Sequence, residues 1–587
     1  MGELLLKTWH LLPPATRPRV LRYLPLSFVC SLVEFGGLAA IVPFVAVLGG
    51  SNLTLSESPL RRWAEVFGLQ DPRIIAVGLG SAIGAAFLMR EALSGWLTRY
   101  QIRLIADIRC ALSEKMMSNY LAQPYSWFLA RPTIHLNRNV ERLNQVVMGV
   151  IQPLTHAAGQ AVTSVVLAAG LFALNGPMAT LTLGLALTVY TTLYLVLLPR
   201  WRRLGQEDLE AQYAETRVAA EVFEGIREAR ILDCESFFYE NFSRQARRRA
   251  AAQAWATLAV RFPGYAGRVL FTLGITTAGL VLAFRGGPQE SFATLGVFAL
   301  VLTRIMAGLE SLFGTAAAIS RQKASIDLFS EGLVSEPVLV PAGPVERFSL
   351  HESIELRDMS FRYHPRRAPA VLRVNLVIPR GGRAVVVGAT GAGKTTLLDL
   401  ITGLLTPDEG QILIDGSPLS GREVAWRAGL GYAPQETFLL DDTVARNIAF
   451  GVRDVDPKAV ERAGRLACLD DFVVDLPDGY DTRVGERGKG LSRGQRQRIG
   501  IARALYRDPQ VLVLDEATSA LDSRTERQLL TNLRALDLTL LMVTHRLSTI
   551  RRGDLVFLLE KGTSTTVRDF DHLEELFPVF DERVAAR

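Results

Sequence analysis

Between about residues 20 and 320 the chain is dominated by long apolar runs. Six of them approach or exceed the roughly 20 residues that a bilayer demands. They are Leu24–Leu48, Ile74–Leu97, Val146–Leu174, Met178–Leu198, Trp255–Phe284 and Phe292–Ile319, with charges interrupting the second, fifth and sixth. Core helices of a water-soluble protein fit these lengths poorly. Six membrane-spanning helices are expected, because backbone in lipid must close its hydrogen bonds within the segment. Ahead of them, Leu4–Leu12 reads as a short amphipathic helix at the membrane surface. The loop 49–73 carries a short expected helix at Glu57–Leu69. The connections 100–143 and 199–252 are long and basic, with Arg200-Trp201-Arg202-Arg203 and Arg247-Arg248-Arg249 as examples. Positive loops stay cytoplasmic. Both long connections, both termini and everything after 320 are therefore expected in the cytoplasm. The helices flanking each long connection should turn near Gln123–Pro132 and Cys234–Ser243. Aromatic residues at those turns (Tyr125, Trp127, Phe128; Phe237, Phe238, Tyr239) suit docking in a groove of a soluble domain.

The pattern changes after a linker that carries Pro337, Pro341 and Pro344. From Ile354, short apolar runs such as Arg383–Val387 and Val511–Leu514 alternate with helical segments, the signature of an α/β domain with a largely parallel sheet. The expected organisation is an all-α six-helix transmembrane domain over 1–330, a linker over 331–350 and an α/β P-loop ATPase domain over 351–587.

Composition fits such a blend. Of 587 residues, 49% are hydrophobic and 21% charged, which excludes disorder. The net charge of +6 alone could point to nucleic acid. The basic loops assign it to an anionic membrane surface instead, so no nucleic-acid partner is expected. Cys30, Cys110, Cys234 and Cys468 are widely spaced, without a CxxC pair, and make neither a disulfide scaffold nor a metal cluster.

The chemistry lies in the second domain. Gly388-Ala-Thr-Gly-Ala-Gly-Lys394-Thr395 fits the phosphate-loop pattern, follows an apolar strand and opens a helix. Gly388, Gly391 and Gly393 let backbone N–H groups wrap phosphates, with Thr390 and Thr396 in the same loop and first helical turn. Lys394 is placed to reach the β- and γ-phosphates of ATP, and Thr395 to ligate Mg2+. Val511-Leu-Val-Leu514-Asp515-Glu516 is a buried strand ending in two carboxylates. Asp515 suits Mg2+ and Glu516 the attacking water.

Those two motifs say only that this is a P-loop nucleotidase. Leu491-Ser492-Arg493-Gly494-Gln495 resembles the signature of ATP-binding cassette (ABC) proteins. Tyr432-Ala-Pro-Gln435, Ser519-Ala-Leu-Asp522 and Thr544-His545-Arg546 resemble that family's Q-loop, D-loop and switch histidine. Tyr363 sits where the family stacks adenine. Asp481–Gly488 resembles the loop found in its exporters. The resemblance implies an ABC exporter fold with Glu516, His545 and Gln435 as catalytic residues. Gln435 would also sense Mg2+, beside Thr395 and Asp515. Tyr363, the phosphate loop, Ser492, Gly494, Gln495 and Asp522 would contact nucleotide. Ser492 and Gly494 would touch ATP held by another cassette, so the chain should dimerise, most simply with itself; a heterodimer with a sister chain is the alternative. Two residues depart from the family pattern: Arg493 stands where Gly is usual, and Thr390 where Ser is usual.

Ionisable residues within the spans point to the substrate, because such groups are costly in lipid and face cavities or one another. Arg90, Arg261, Arg268 and Arg304 are candidates to line a cavity for an anionic head group; the alternative is local pairing, Arg90 with Glu91 and Arg304 with Glu310. The first span, Leu32-Val-Glu34-Phe-Gly-Gly-Leu-Ala-Ala-Ile-Val-Pro43-Phe, resembles that of bacterial flippases for lipid-linked oligosaccharides. That implies outward flipping of a lipid-linked oligosaccharide in a bacterial inner membrane. Export of lipid, lipopolysaccharide precursor or drug is the alternative, and an ATP-gated channel or regulator a further one.

Overall fold

The computed structural model describes the chain except for residues 1, 49–71, 132, 175, 286–287, 324–325, 328–346, 365, 367, 486–487, 545, 547–548, 551–552 and 568–587. The expected Glu57–Leu69 helix, most of the linker and His545 thus lie outside the described residues. The chain forms two compact units, Met1–Ala122 with Pro132–Val340, and Gln123–Arg131 with Pro341–Arg587.

The first unit is helical. Its elements are α1 (Gly2–Leu11), α2 (Arg17–Ala39), α3 (Ile41–Leu48), α4 (Pro72–Leu121), α6 (Thr133–Val146), α7 (Gln152–Leu174), α8 (Gly176–Glu224), α9 (Ile226–Ile231), α10 (Glu235–Arg285) and α11 (Pro288–Arg321); α5 (Tyr125–Leu129) belongs to the second unit. A π-helical turn over Val147–Ile151 joins α6 to α7 and buries Val147, Val150 and Ile151. Five described stretches are long and apolar enough to cross a membrane: Arg17–Ala39, Arg73–Leu121, Asn139–Ala173, Thr182–Glu224 and Ala299–Arg321. The remaining expected span lies on α10, a helix of 51 residues. The most apolar stretch of α4 has no buried residue at all, and Val77, Leu88, Leu187 and Leu195 are each more than half exposed. Such a surface is untenable in water and natural in lipid.

The second long hairpin turns earlier than its aromatic cluster suggests. Gly225 leaves helical geometry, α9 follows, and Asp233 takes φ 52° before α10 opens at Glu235. Phe237, Phe238 and Tyr239 therefore ride on the first turns of α10 rather than in the bend. The turn is made by a helix-breaking glycine and a short polar residue able to adopt the left-handed conformation.

In the second unit β1 (Ser353–Phe361), β2 (Val371–Pro379), β4 (Glu409–Ile414) and β5 (Ser417–Pro418) form an antiparallel sheet in the order β2-β1-β4-β5. A six-stranded sheet orders β10 (Thr563–Val567), β9 (Leu555–Glu560), β3 (Arg383–Val387), β8 (Thr539–Val543), β7 (Val511–Asp515) and β6 (Leu430–Ala433). All its pairings are parallel except β9 with β10. Its strands alternate cleanly. Val385, Val387, Leu512, Leu514, Leu540 and Met542 pack in one core, whereas Ala384, Val386, Val511, Val513, Leu541 and Val543 pack in the other. Both faces are covered, which is why these strands read as continuous apolar runs. Parallel pairing also brings the ends of β3 and β7 to one edge of the sheet, the edge where α/β proteins bind ligands.

Candidate functional site

At that edge β3 feeds the glycine loop and helix α12 (Lys394–Ile401). Two glycines are obligatory. Gly393 takes φ 101°, and a Cβ there would lie 2.1 Å from the Ala370 carbonyl oxygen. A Cβ on Gly388 would lie 2.3 Å from that of Leu559. The Lys394 Nζ is buried and donates to the Gly388 (2.8 Å) and Ala389 (3.2 Å) carbonyls. It stands 3.9 Å from Glu516 Oε1. Burial pushes its pKa down, opposed by Glu516 and Asp515.

Asp515 ends β7, buried, beside the hydroxyl of Thr395. Desolvation and the neighbouring Glu516 push its pKa up. A hydroxyl, a carboxylate and the nearby Gln435 amide are hard oxygen donors of the kind Mg2+ takes together with substrate phosphates. Glu516 occupies left-handed backbone (φ 49°), held by its N–H on the Val543 carbonyl at 3.1 Å. That geometry costs roughly 1 kcal/mol or more and is retained where structure over-determines it. Gln435 Nε2 donates to Glu516 Oε2 at 2.7 Å. Tyr363 Oη and Thr396 Oγ1 share a hydrogen bond of 2.9 Å, and the exposed Tyr363 ring stands edge-on to Phe361.

The signature opens helix α13 (Arg493–Tyr506) with a capping box. Ser492 Oγ accepts from Gln495 N, and Ser492 N donates to Gln495 Oε1. Gln495 thus shapes the helix start, and Arg493 points to solvent. Asp522 likewise caps α14 (Ser523–Arg534), accepting from Arg524 N and Thr525 N; the Thr525 hydroxyl, donating at 2.7 Å, and then these backbone bonds hold its pKa down at about 2.

Two positioning residues carry no signal in the motifs as read. Gln497, buried one turn into α13, donates to the Gln435 carbonyl and to Ser519 Oγ, both at 3.2 Å, and accepts from Ala520 N at 2.9 Å. It ties the strand-end glutamine, the carboxylate strand and the Ser519–Asp522 turn together. Arg546 donates to Ser519 O at 2.8 Å and to Glu526 at 2.9 Å, fixing the same turn. Only the tertiary contacts reveal either role.

A profile described as ABC transporter matches residues 371–519, and one described as ABC transporter transmembrane region matches 40–308. The chain belongs to the ABC transporter family. The ATP-dependent lipid A-core flippase of Chromohalobacter salexigens is 30% identical over 89% of this chain and 91% of its own. The heterocyst differentiation ATP-binding protein HepA of Nostoc sp. is 34% identical over 63% of this chain and 61% of its own. A solved bacterial Atm1-family ABC exporter with ATP bound superposes with a TM-score of 0.78 at 24% identity, covering 98% of this chain and all of that one. The protein is thus a multi-pass ABC half-transporter of the exporter type, and its cassette hydrolyses ATP to drive transport.

In this ABC cassette Asp399 is a buried carboxyl outside the expected set. Desolvation and the nearby Asp515 raise its pKa to about 6. A carboxyl whose folded pKa is raised favours folding at acid pH and loses that contribution as pH climbs through about 6. Asp399→Asn should therefore melt higher than the parent at pH 7.5, by up to about 3 kcal/mol, and nearly with it at pH 4. Thermal melts of the full chain at the two pH values check this.

In the helical unit of the transporter a polar cavity of about 170 Å3 lies among α2, α4, α7 and α11. Glu34, with a side chain only 4% exposed, is held by two guanidinium groups: Arg90 Nη2 and Arg304 Nε each lie 3.3 Å from its Oε1. Arg90 also pairs with Glu91. The partner of Arg304 is thus Glu34 rather than the sequence neighbour Glu310. Arg261 and Arg268 do not line this cavity; both are exposed on α10, with Arg268 over the Tyr265 ring. Gln101, His156, Gln160 and Thr163 complete the polar wall.

Proposed function

We propose that this exporter works as a homodimer that flips an anionic amphiphile, a lipid bearing phosphate, out of the cytoplasmic leaflet of a bacterial inner membrane. The single observation behind this is the Arg90–Glu34–Arg304 cluster beside a polar cavity at membrane depth. Charged residues there mark substrate paths. Guanidinium forks suit phosphate oxygens. Arg90 Nε is buried without an acceptor among the described residues, which leaves a donor for one. Relatives named ATP-dependent lipid A-core flippases support a lipid substrate. Lipid-linked oligosaccharides belong to the proposed substrate class as well, and remain the more specific reading from the first span.

The geometry around Lys394, Asp515 and Glu516 supports the catalytic roles proposed with it. Lys394 and the loop amides bind the phosphates; Thr395, Asp515 and Gln435 would hold Mg2+, which neutralises phosphate charge when bound. Glu516, oriented by Gln435, takes the proton of the attacking water. His545 would contact the γ-phosphate. Ser492 and the amides of α13 serve the nucleotide of a second cassette. ATP-driven closure then turns the cavity outward, and hydrolysis resets it.

The test is ATPase stimulation in liposomes. Polyprenyl-diphosphate glycans, lipopolysaccharide precursor and phosphatidylglycerol would be set against phosphatidylcholine and neutral drugs. Phosphate-bearing lipids should stimulate several-fold in the wild type and not in an Arg90→Gln/Arg304→Gln variant. Stimulation by neutral drugs alone would overturn the reading in favour of a multidrug exporter.

A further inference from the structure

A second cavity adjoins the first. It is about 470 Å3, room for roughly fifteen water-sized groups. Its lining is almost wholly carbon, from α1 (Leu6, Trp9), Leu12, α2 (Leu21, Leu24) and α7 (Leu154). Buried Leu12, Tyr23 and Ile151 form the floor, and exposed Leu6 and Leu21 the rim. Its mouth is apolar, rimmed by the exposed side chains of Leu6, Leu21 and Leu24. A hole this apolar holds hydrocarbon rather than water.

The two cavities share a wall. Tyr23 lines both. Thr155 of the apolar cavity accepts a hydrogen bond of 3.1 Å from Gln101 of the polar one. Tyr23 can sit there because α7 offers Gly159, whose Cβ would lie 2.9 Å from the Tyr23 hydroxyl. One stripe of α2 serves both chambers: Val20 and Tyr23 on the apolar side, then Tyr23, Ser27, Cys30 and Glu34 on the polar side. Steps of three and four residues keep them on one face. The stripe changes from hydrocarbon to charge along its length, as an anionic lipid does.

We propose that the cavity under α1 holds an acyl chain of the same anionic lipid whose phosphate pairs with Arg90 and Arg304. The pair of chambers is then one site, tail at the α1 end and head at Glu34. This rests on the head-group reading above and adds where the hydrocarbon goes.

The test uses the full chain in nanodiscs with a phosphatidylglycerol bearing a diazirine near the end of one acyl chain, and maps the cross-links by peptide mass spectrometry. Labelling of 9–12 and 151–158 should saturate. Excess phosphatidylglycerol should displace it, and equal phosphatidylcholine should not. Leu21→Trp, at an exposed rim position that folding tolerates, should lower it at least about five-fold with unchanged elution volume. Arg304→Gln should abolish the preference over phosphatidylcholine. Labelling that neither saturates nor falls in Leu21→Trp, while phosphatidylglycerol still stimulates ATPase, overturns the acyl-chain site alone. Saturable labelling with no head-group preference in the wild type overturns the head-group reading and the joined site with it.

Discussion

Glu516→Gln should cut ATP turnover by about a hundred- to ten-thousand-fold, the usual worth of a general base. The amide keeps the size of the carboxylate but cannot take a proton from water. Its oxygen can still accept from Gln435, now 2.7 Å from Glu516 Oε2, so the site keeps its shape. Lys394, Thr395 and Asp515 are untouched, so binding should survive the loss of chemistry. ATP-bound closed dimers should accumulate as a result. Phosphate release from proteoliposomes, with nucleotide retained through gel filtration, measures both effects. Near-normal turnover would show that Glu516 is not the base.

The second large effect is on stability. Glu34→Ala removes the one carboxylate that two guanidinium groups share, from a position only 4% exposed. Breaking a buried ion pair costs about 3–5 kcal/mol, because the remaining charge stays desolvated. Arg90 keeps Glu91, which places the loss near the lower end of that range. Arg304→Gln, at a side chain 47% exposed, should cost about 1 kcal/mol or less. Thermal unfolding in detergent, comparing the two variants, reads this directly. Equal melting temperatures would mean that Glu34 does not hold the cluster together.

The phosphate-loop pattern of the cassette was legible because its geometry is local. A glycine loop needs glycine where a Cβ would strike a carbonyl, as at Gly388 and Gly393, and that need is written at the position itself. Gln497 and Arg546 were not legible in that way. Each acts by joining segments that lie between 19 and 62 residues away. The substrate arginines show the same divide. Sequence neighbours suggested Arg304 with Glu310, whereas helix packing gave it Glu34, 270 positions distant.

By itself, the sequence determined that the chain carries long membrane-spanning helices, that an α/β domain follows them, and which loop carries the phosphate-binding pattern. Those follow from hydropathy, periodicity and motifs, all properties of nearby residues. Only the tertiary structure decided that two of four candidate arginines share one glutamate, and that an apolar chamber adjoins them. Packing decides these, because each depends on which face of one helix meets which face of another, and no stretch of a single helix carries that information.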